Sequence, residues 1–412
     1  MRVTSLLRTI LAMKHTRVLG AVFGASGLQV EVAPTTRRPR CSGCGRVRRK
    51  VYDRRSRTWR HLDFGGMEVT LRYDLRRVEC SRCGTVAELV PWAAHDSRFT
   101  RDFEDHVAYL AQRSDQTTVA SSMRVAWRTV GSIIQRVVAH CRQGAELLDD
   151  LEYIGVDELS YRRHHEYVTV VVDHVRQRVV WVSEGKNAAT LGRFFDALGT
   201  ERTAKLKFIT ADMSAAYVEA IKAKAPTAQV VFDRFHVQRL VQDALDEVRR
   251  AEVRAMEETT DRHGLKKTRW ALLKNHWNLS AGEAQRLSTV QRTNRRLYRA
   301  YLLKTVFADI LGRRQVNVVR DKLAEWITWA RRSRLKPFKK AAGTIRKYFE
   351  GVVAIVSTGL NNGRTEGLNG KIRTITRRAY GFHSAHSLIA FIMLCCTGLV
   401  LHPVFKTPSL HP

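Results

Sequence analysis

Three acidic residues, far apart along the chain, sit where a divalent cation could use them. Asp157 closes the apolar run YIGV, Asp212 closes KLKFITA, and Glu366 lies inside NNGRTEGLNG. Glu366 is the only acidic residue from Gly351 to Pro412, and Arg364, Lys371, Arg373, Arg377 and Arg378 crowd around it. A solvated bystander is the bland reading of that carboxylate. The sharper reading is a metal ligand whose partners lie elsewhere in the chain. Carboxylates a few ångströms apart repel unless a cation bridges them. Magnesium, or manganese, prefers oxygen donors and retains waters, so two or three Asp/Glu side chains make an open site. A pair of such ions would activate an attacking oxygen and stabilise a leaving one at a phosphodiester. Asp157 could instead cap a turn. Asp233 competes with Asp212 for the second position. Asp233 and His236, in DRFH, read as supporting residues, with a satisfied core histidine as the alternative for His236. Asn362 is a further supporting candidate. Glu158 points to the opposite strand face and reads as supporting or ion-paired, and Asp173 as a turn residue.

These acids need elements that bring them together. Between 150 and 237 the pattern reads β-β-β-α-β-α-β, from YIGVDE, EYVTVVVD, RVVWVSE, AATLGRFFDALG, KLKFITAD, AAYVEAIKAKAP and AQVVFDRFH. That order fits an α/β domain with a mixed sheet. By analogy with ribonuclease-H-like nucleases, its first and fourth strands are adjacent, so Asp157 and Asp212 leave at one edge. From 238 to 350 charged helices replace the strands, an all-helical insertion. Its Trp270, Trp277, Trp326 and Trp329 either pack helices or stack on bases. TEGLNGKIRTITRRA then has helical spacing, with Glu366 in the first turn and Arg373, Arg377 and Arg378 placed to grip phosphates.

The chain has 412 residues, with 71 Lys and Arg against 39 Asp and Glu, a net charge of +32. Such an imbalance points to a polyanionic partner, nucleic acid before a membrane surface. The N-terminus MRVTSLLRTILAMKHTR lacks a secretory pattern. The longest uncharged apolar run, LIAFIMLCCTGLVL, is 14 residues, short for a membrane span of roughly 20 residues, and reads as a core helix. Four of the seven cysteines form CSGC and CSRC, each followed by Gly. Cys41, Cys44, Cys80 and Cys83 suit one tetrahedral structural zinc, with a hairpin between the pairs. Chance or redox pairs are the alternative. Reduced thiols fit the cytoplasm. Arg46, Arg48, Arg49, Lys50, Arg54 and Arg55 make that module a phosphate-contacting surface. Three short helices over 100–142 fit a helix-turn-helix, or an ordinary three-helix bundle, with Val119, Ala120, Val130 and Ile134 inward. Arg128, Gln135 and Arg136 are its candidates for DNA contact, and Trp127 reads as core.

IGVDE, ADMSAAY, VVFDRFHV and NNGRTEGLNGKIR, in that order, resemble the transposases of the ISL3 insertion-sequence family. The cysteine pairs and three-helix segment resemble that family's amino-terminal modules. The resemblance covers about residues 30 to 400. It implies a DDE catalytic domain with Asp157, Asp212 and Glu366 as the three acids, two magnesium ions, and cutting and rejoining of double-stranded DNA at transposon ends and target. The expected plan is an N-terminal segment (1–35), a zinc-binding module (36–95) and a helix-turn-helix (96–145). The catalytic domain follows in two parts (150–237 and 351–405) around the helical insertion (238–350). At least a homodimer on DNA is expected, without membrane attachment, associated with the bacterial nucleoid when bound. The rival classes are a DNA-binding regulator with an inert α/β body, and a structure-specific nuclease without strand transfer.

Overall fold

A computed structural model describes residues 3–11, 13–24, 27–142, 147–162, 166–255, 265, 267–359, 363–379, 381–382 and 384–403. The side chains of residues 142, 162 and 363–366 lie outside that description, as does Asn362 altogether. The chain forms two compact units, residues 1–145 with 399–412, and residues 146–398.

In the first unit, α1 (Val3–Leu11) precedes β1 (Thr16–Gly24) and β2 (Gly27–Pro34). The hairpin expected between the cysteine pairs is β3 (Val51–Phe64) and β4 (Met67–Cys80), followed by the short β5 (Gly84–Ala87). The sheet runs β1-β2-β4-β3, with β5 also on β4. Sequence patterning assigns no element to the first 35 residues, yet β2 pairs in parallel with β4 and completes the sheet. Trp59, Val69, Leu71, Val30 and Trp92 form one buried cluster on its inner face. Three helices follow: α2 (Arg101–Ala111), α3 (Gln116–Ser122) and α4 (Trp127–Arg142). Thr100 and Asp115 cap α2 and α3 by accepting from backbone N–H groups. Val119, Ala120, Val130 and Ile134 are buried as expected. Trp127 is not core: it opens α4 and is 37% exposed, because the preceding turn lifts the helix start away from the cluster.

The second unit is built on β6 (Tyr153–Arg162), β7 (Glu166–Asp173), β8 (Arg178–Glu184), α5 (Ala188–Leu198), α6 (Thr200–Thr203), β9 (Phe208–Ala211), α7 (Ala215–Lys224) and β10 (Gln229–Phe232). Its sheet order is β10-β9-β6-β7-β8. β6 and β7 are antiparallel, as are β7 and β8, while β9 pairs in parallel with both β6 and β10. The order follows from chain economy. A two-residue-period run with a tight turn makes the β6–β8 meander, whereas a parallel neighbour requires a helical crossover, which α5 and α7 supply.

Helices then dominate: α8 (Arg234–Ala255), α9 (Arg269–Leu273), α10 (Ala281–Thr293), α11 (Arg295–Gly312), α12 (Val316–Arg332), α13 (Lys336–Lys347) and α14 (Phe349–Thr358). One apolar cluster joins them to β10, through Phe232, Val241, Leu297, Phe307, Trp326 and Phe338. Trp326 is buried and donates to Leu303 O at 2.8 Å, whereas Trp270 and Trp277 are exposed. Gly351 lets α14 touch β10: a Cβ there would lie 2.3 Å from the Phe232 ring. α15 (Gly363–Arg378) comes later in the chain. The apolar C-terminal run forms the buried α16 (Ala385–Cys396). Among the described residues no helix is long and apolar enough to cross a membrane.

Two expectations follow. Gly351→Ala should destabilise the second unit by about 1–3 kcal/mol in chemical denaturation, because the added methyl must displace Phe232. Lys304 on α11 is 3% exposed and donates to Lys274 O at 2.6 Å; burial pulls its pKa down to about 8. The unfolded lysine, at about 10.4, binds more protons than the folded one across that interval, so its contribution favours folding increasingly as pH rises from about 8 to about 10. Lys304→Met should flatten that part of the stability–pH curve relative to wild type; parallel curves would show that the burial has no such effect.

Candidate functional site

The first centre is the sulfur cluster. Cys41 and Cys44 come from the knuckle before β3, and Cys80 and Cys83 from the turn joining β4 to β5. Their four Sγ atoms lie within 4.8 Å of one another. A tetrahedron with Zn–S bonds of about 2.3 Å requires sulfurs about 3.8 Å apart, and Cys44 and Cys80 stand at 3.7 Å. The donor set therefore fits zinc. Gly45 and Gly84, one after each pair, have φ of +69° and +74°, a left-handed turn that residues with a Cβ resist. Arg48 Nη2 lies 2.8 Å from Cys80 Sγ, placing positive charge against a cluster of thiolates. The knuckle is held to the hairpin by Glu88, 3% exposed, which accepts from Tyr73 and Arg76 and bridges to Cys41 through its backbone.

The three-helix segment displays Arg128 at the exposed start of α4, with Gln135 half-buried further along. Arg136 is different. Its guanidinium lies 2.7 Å from Glu104, which is buried and also accepts from Ser97. Arg136, an expected DNA contact, is also engaged within the fold, and releasing it would leave a buried carboxylate unpaired. In the zinc module Arg46, Arg49, Arg54 and Arg55 are exposed, and Lys50 is paired with Glu79.

The second centre lies at one edge of the β6–β10 sheet. Gly155 of β6 stands opposite Thr210 of β9, and Ala211 opposite Phe232 of β10. Continuing both registers sets Asp157, Asp212 and Asp233 in one row. Asp157 lies on β6; Asp212 and Asp233 directly follow β9 and β10. Burial, with the Asp212 charge adding to it, holds the Asp157 carboxyl above the usual carboxylate range. Opposing this, Asp157 Oδ1 accepts from the Glu158 amide at 2.7 Å, and Asn369 donates to its Oδ2.

The two competing aspartates are distinguishable by their environment. Asp233 is 8% exposed, and its Oδ1 accepts from Phe235 N at 3.0 Å, capping α8. Asp212 sits between Asp157 and Asp233 and has no such backbone duty. His236 Nδ1 is 2.9 Å from Asp212 Oδ1, and its Nε2 is 3.7 Å from Asp233 Oδ2. The Asp212 carboxylate raises the His236 pKa above the ordinary histidine value. Apart from His236, no donor among the described residues meets the buried Asp212 Oδ1. Among the described residues Asn369 Oδ1 is buried with no hydrogen-bond partner at all. Donorless buried oxygens are costly, and oxygens beside a carboxylate are what a hard cation takes.

Asn369 was not singled out from sequence. It lies on α15, three residues after Glu366 and therefore on the same helical face; that spacing in TEGLNG is the signal that could have found it. Glu366 is in the first turn of α15, one turn from Asn369, and its side chain lies outside the described residues, as do those of Arg364 and Asn362. Glu158 turns to the opposite strand face as expected. It accepts from the buried Tyr217 hydroxyl, and burial raises its pKa. Asp173 is a turn residue, accepting from Val175 N and Arg176 N. Arg373 and Arg377 are exposed on α15. Lys371 is exposed and donates to Cys395 O near the carbonyl end of α16, where a cation is favoured.

Known proteins resemble this chain over most of its length. A family model for ISL3 transposases of the DDE type, described as a transposase, matches residues 154–392. A model for the helix-turn-helix domain of transposase family ISL3 matches residues 88–138, and a zinc-finger model of transposases IS204/IS1001/IS1096/IS1165 matches residues 37–83. The chain is 39% identical over 383 residues to the transposase for insertion sequence element IS1557 of Mycobacterium tuberculosis, covering 87% of this chain and 86% of that protein. It is 29% identical over 359 residues to the transposase for insertion sequence element IS1001 of Bordetella parapertussis, covering 86% of this chain and 88% of that one. With a transposase model spanning more than half its length and these relatives spanning most of it, the chain belongs to the ISL3 family of transposases.

Proposed function

We propose that this transposase binds the terminal inverted repeats of its own insertion sequence, cleaves DNA at the element ends and joins the freed 3′-hydroxyl to target DNA. The row of carboxylates at one sheet edge supports the reading, with Asp212 Oδ1 met only by His236 and Asn369 Oδ1 without a partner among the described residues. Asp157, Asp212 and Glu366 are the residues that would hold magnesium or manganese, two ions in all. Bound there, the cations would neutralise phosphate charge and polarise the attacking and leaving oxygens. The chain's own residues do the rest. Asn369 fixes the rotamer of Asp157. His236 and Asp233 hold Asp212 from the other side. The basic face of α15, through Arg373 and Arg377, positions the strand in line for displacement.

The domain plan belongs to the same proposal. A zinc-binding module over 36–95 and a helix-turn-helix over 96–145 bind the ends, with Arg128 among the contacts. A ribonuclease-H-like catalytic domain over 150–237 and 351–405 is supported by the parallel adjacency of β6 and β9. The helices of 238–350 stand as its insertion. Synapsis of two ends calls for a dimer or larger assembly on DNA, and the cytoplasmic nucleoid is then its place of work.

Asp157→Asn keeps the shape of the side chain and removes its charge. Cleavage of duplex DNA carrying the terminal repeats should fall by at least about a hundredfold, the scale of a lost transition-state charge contact, while gel shift shows binding retained. Equal cleavage by both proteins would remove Asp157 from the reaction. Precut ends supplied with a plasmid should give joined product; cleavage without joining would favour a nuclease. For the sulfur cluster, elemental analysis should find one zinc per chain. Chelation should expose the thiols of Cys41, Cys44, Cys80 and Cys83 to titration and abolish end binding. Native-like binding by zinc-free protein would refute a structural zinc.

A further inference from the structure

Lys304 on α11 is a buried cation without a counter-charge. It is 3% exposed, and among the described residues no carboxylate pairs with it. Its Nζ donates to Lys274 O at 2.6 Å and to Asn275 Oδ1 at 3.5 Å, two neutral acceptors. The Tyr301 ring, 5.2 Å from it, adds a weak attraction, and Asp309, further along α11, acts only at a distance. Burial pulls the amine's pKa down to about 8, which leaves it mostly charged at neutral pH. An ammonium taken out of water with no anion beside it is costly.

This charge borders a cavity of about 210 Å³ lined by α8, the end of α9 with the turn after it, and α11. Gln238 and Gln242, one helical turn apart, line it from α8, and Asn275 and Asn278 from the turn. Asn275 gives its Oδ1 to Lys304, which leaves its NH2 group to donate. Among the described residues the side chains of Gln238, Gln242 and Asn278 make no hydrogen bond. No described carboxylate lines the cavity, and the one other cation there, Lys274, is paired with Glu283 at 2.7 Å.

One unbalanced ammonium and four carboxamide NH2 groups around a small space select an anion with several acceptor oxygens. A cavity below roughly 300 Å³ is smaller than those that take drug-sized molecules. It has room for a tetrahedral oxyanion, several times the roughly 30 Å³ of a water being available. We infer that this cavity binds one phosphate group, with the Lys304 ammonium as its counter-charge and Gln238, Gln242, Asn275 and Asn278 as donors. The site shares no residue with the row of carboxylates and does not depend on the reaction proposed there. α8 connects the two, since it starts directly after Asp233, carries His236 in its first turn and Gln238 and Gln242 beyond. A phosphate seated here would fasten that helix to α11.

Inorganic phosphate and a phosphate of the DNA backbone offer the same chemistry. The test titrates inorganic phosphate into the full-length protein by calorimetry, with chloride replaced so that ionic strength stays constant. Wild type should bind phosphate saturably and unfold at a higher temperature in its presence. Lys304→Met, which keeps most of the apolar stem, should weaken binding at least about tenfold, the scale of one lost charge-assisted contact. Gln242→Leu, which leaves the buried lysine in place, should weaken it severalfold and carries the test if Lys304→Met does not fold. Fluorescence anisotropy of a labelled terminal-repeat duplex then separates the sources. Reduced duplex affinity in the same variants, with phosphate competing in wild type, assigns the site to a backbone phosphate; unchanged affinity assigns it to the free anion. If wild type takes up no phosphate, or if the folded variants bind it as wild type does, surface arginines account for any uptake and the proposal is overturned.

Discussion

The parallel pairing of β9 with β6 on one side and β10 on the other constrains everything at the candidate active site. In a parallel ladder equivalent ends of strands share an edge, so residues directly after β9 and β10 must emerge beside one another and level with Asp157. Three carboxylates in one row are an electrostatic liability. The protein manages it by unequal treatment. Asp233 is neutralised locally by a backbone N–H at the start of α8. Asp212 is met by His236. Asp157 accepts from the Glu158 and Asn369 N–H groups, yet burial and the Asp212 charge still hold its carboxyl above the usual range. Carboxylates set so close together are costly in isolation, a cost that a bound cation would relieve.

The two units solve the problem of stability in different ways. The second has a large apolar core, in which β10 and the helices from α8 to α14 are continuous. Within it Gly351 brings α14 directly onto Phe232 of β10. The first unit has a smaller cluster around Trp59 and Trp92, supplemented by the sulfur centre and by buried ion pairs at Glu88 and Glu104. Metal ligation adds folding free energy where apolar area is scarce.

A net charge of +32 says little about which cations meet a polyanion. Geometry sorts them. Arg48, Arg136 and Lys371 are occupied by sulfur, carboxylate and carbonyl groups within the fold. Arg128, Arg373 and Arg377 are exposed. For Arg136 desolvation matters: lending it to a phosphate would leave the buried Glu104 unpaired.

Much of this protein was determined by local pattern. Two-residue alternation and turn signals placed β3, β4 and β6 to β8, and helical spacing placed α2 to α5, α7 and α15. The CSGC and CSRC pairs, each with its glycine, specified a sulfur centre before any fold was known. The run of acids after apolar strands marked Asp157, Asp212 and Asp233 as a group. Tertiary structure decided what one-dimensional pattern cannot carry. β2 was invisible as a partner of β4 because parallel pairing leaves no turn signature. Asn369 gains its meaning only when α15 lies over β6. The different surroundings of Asp212 and Asp233, the contacts of Arg136 and Lys371, and the exposure of Trp127 all depend on which groups arrive from remote segments. Propensity and spacing act within a few residues, whereas burial and Coulomb energy depend on distances that only the folded chain sets.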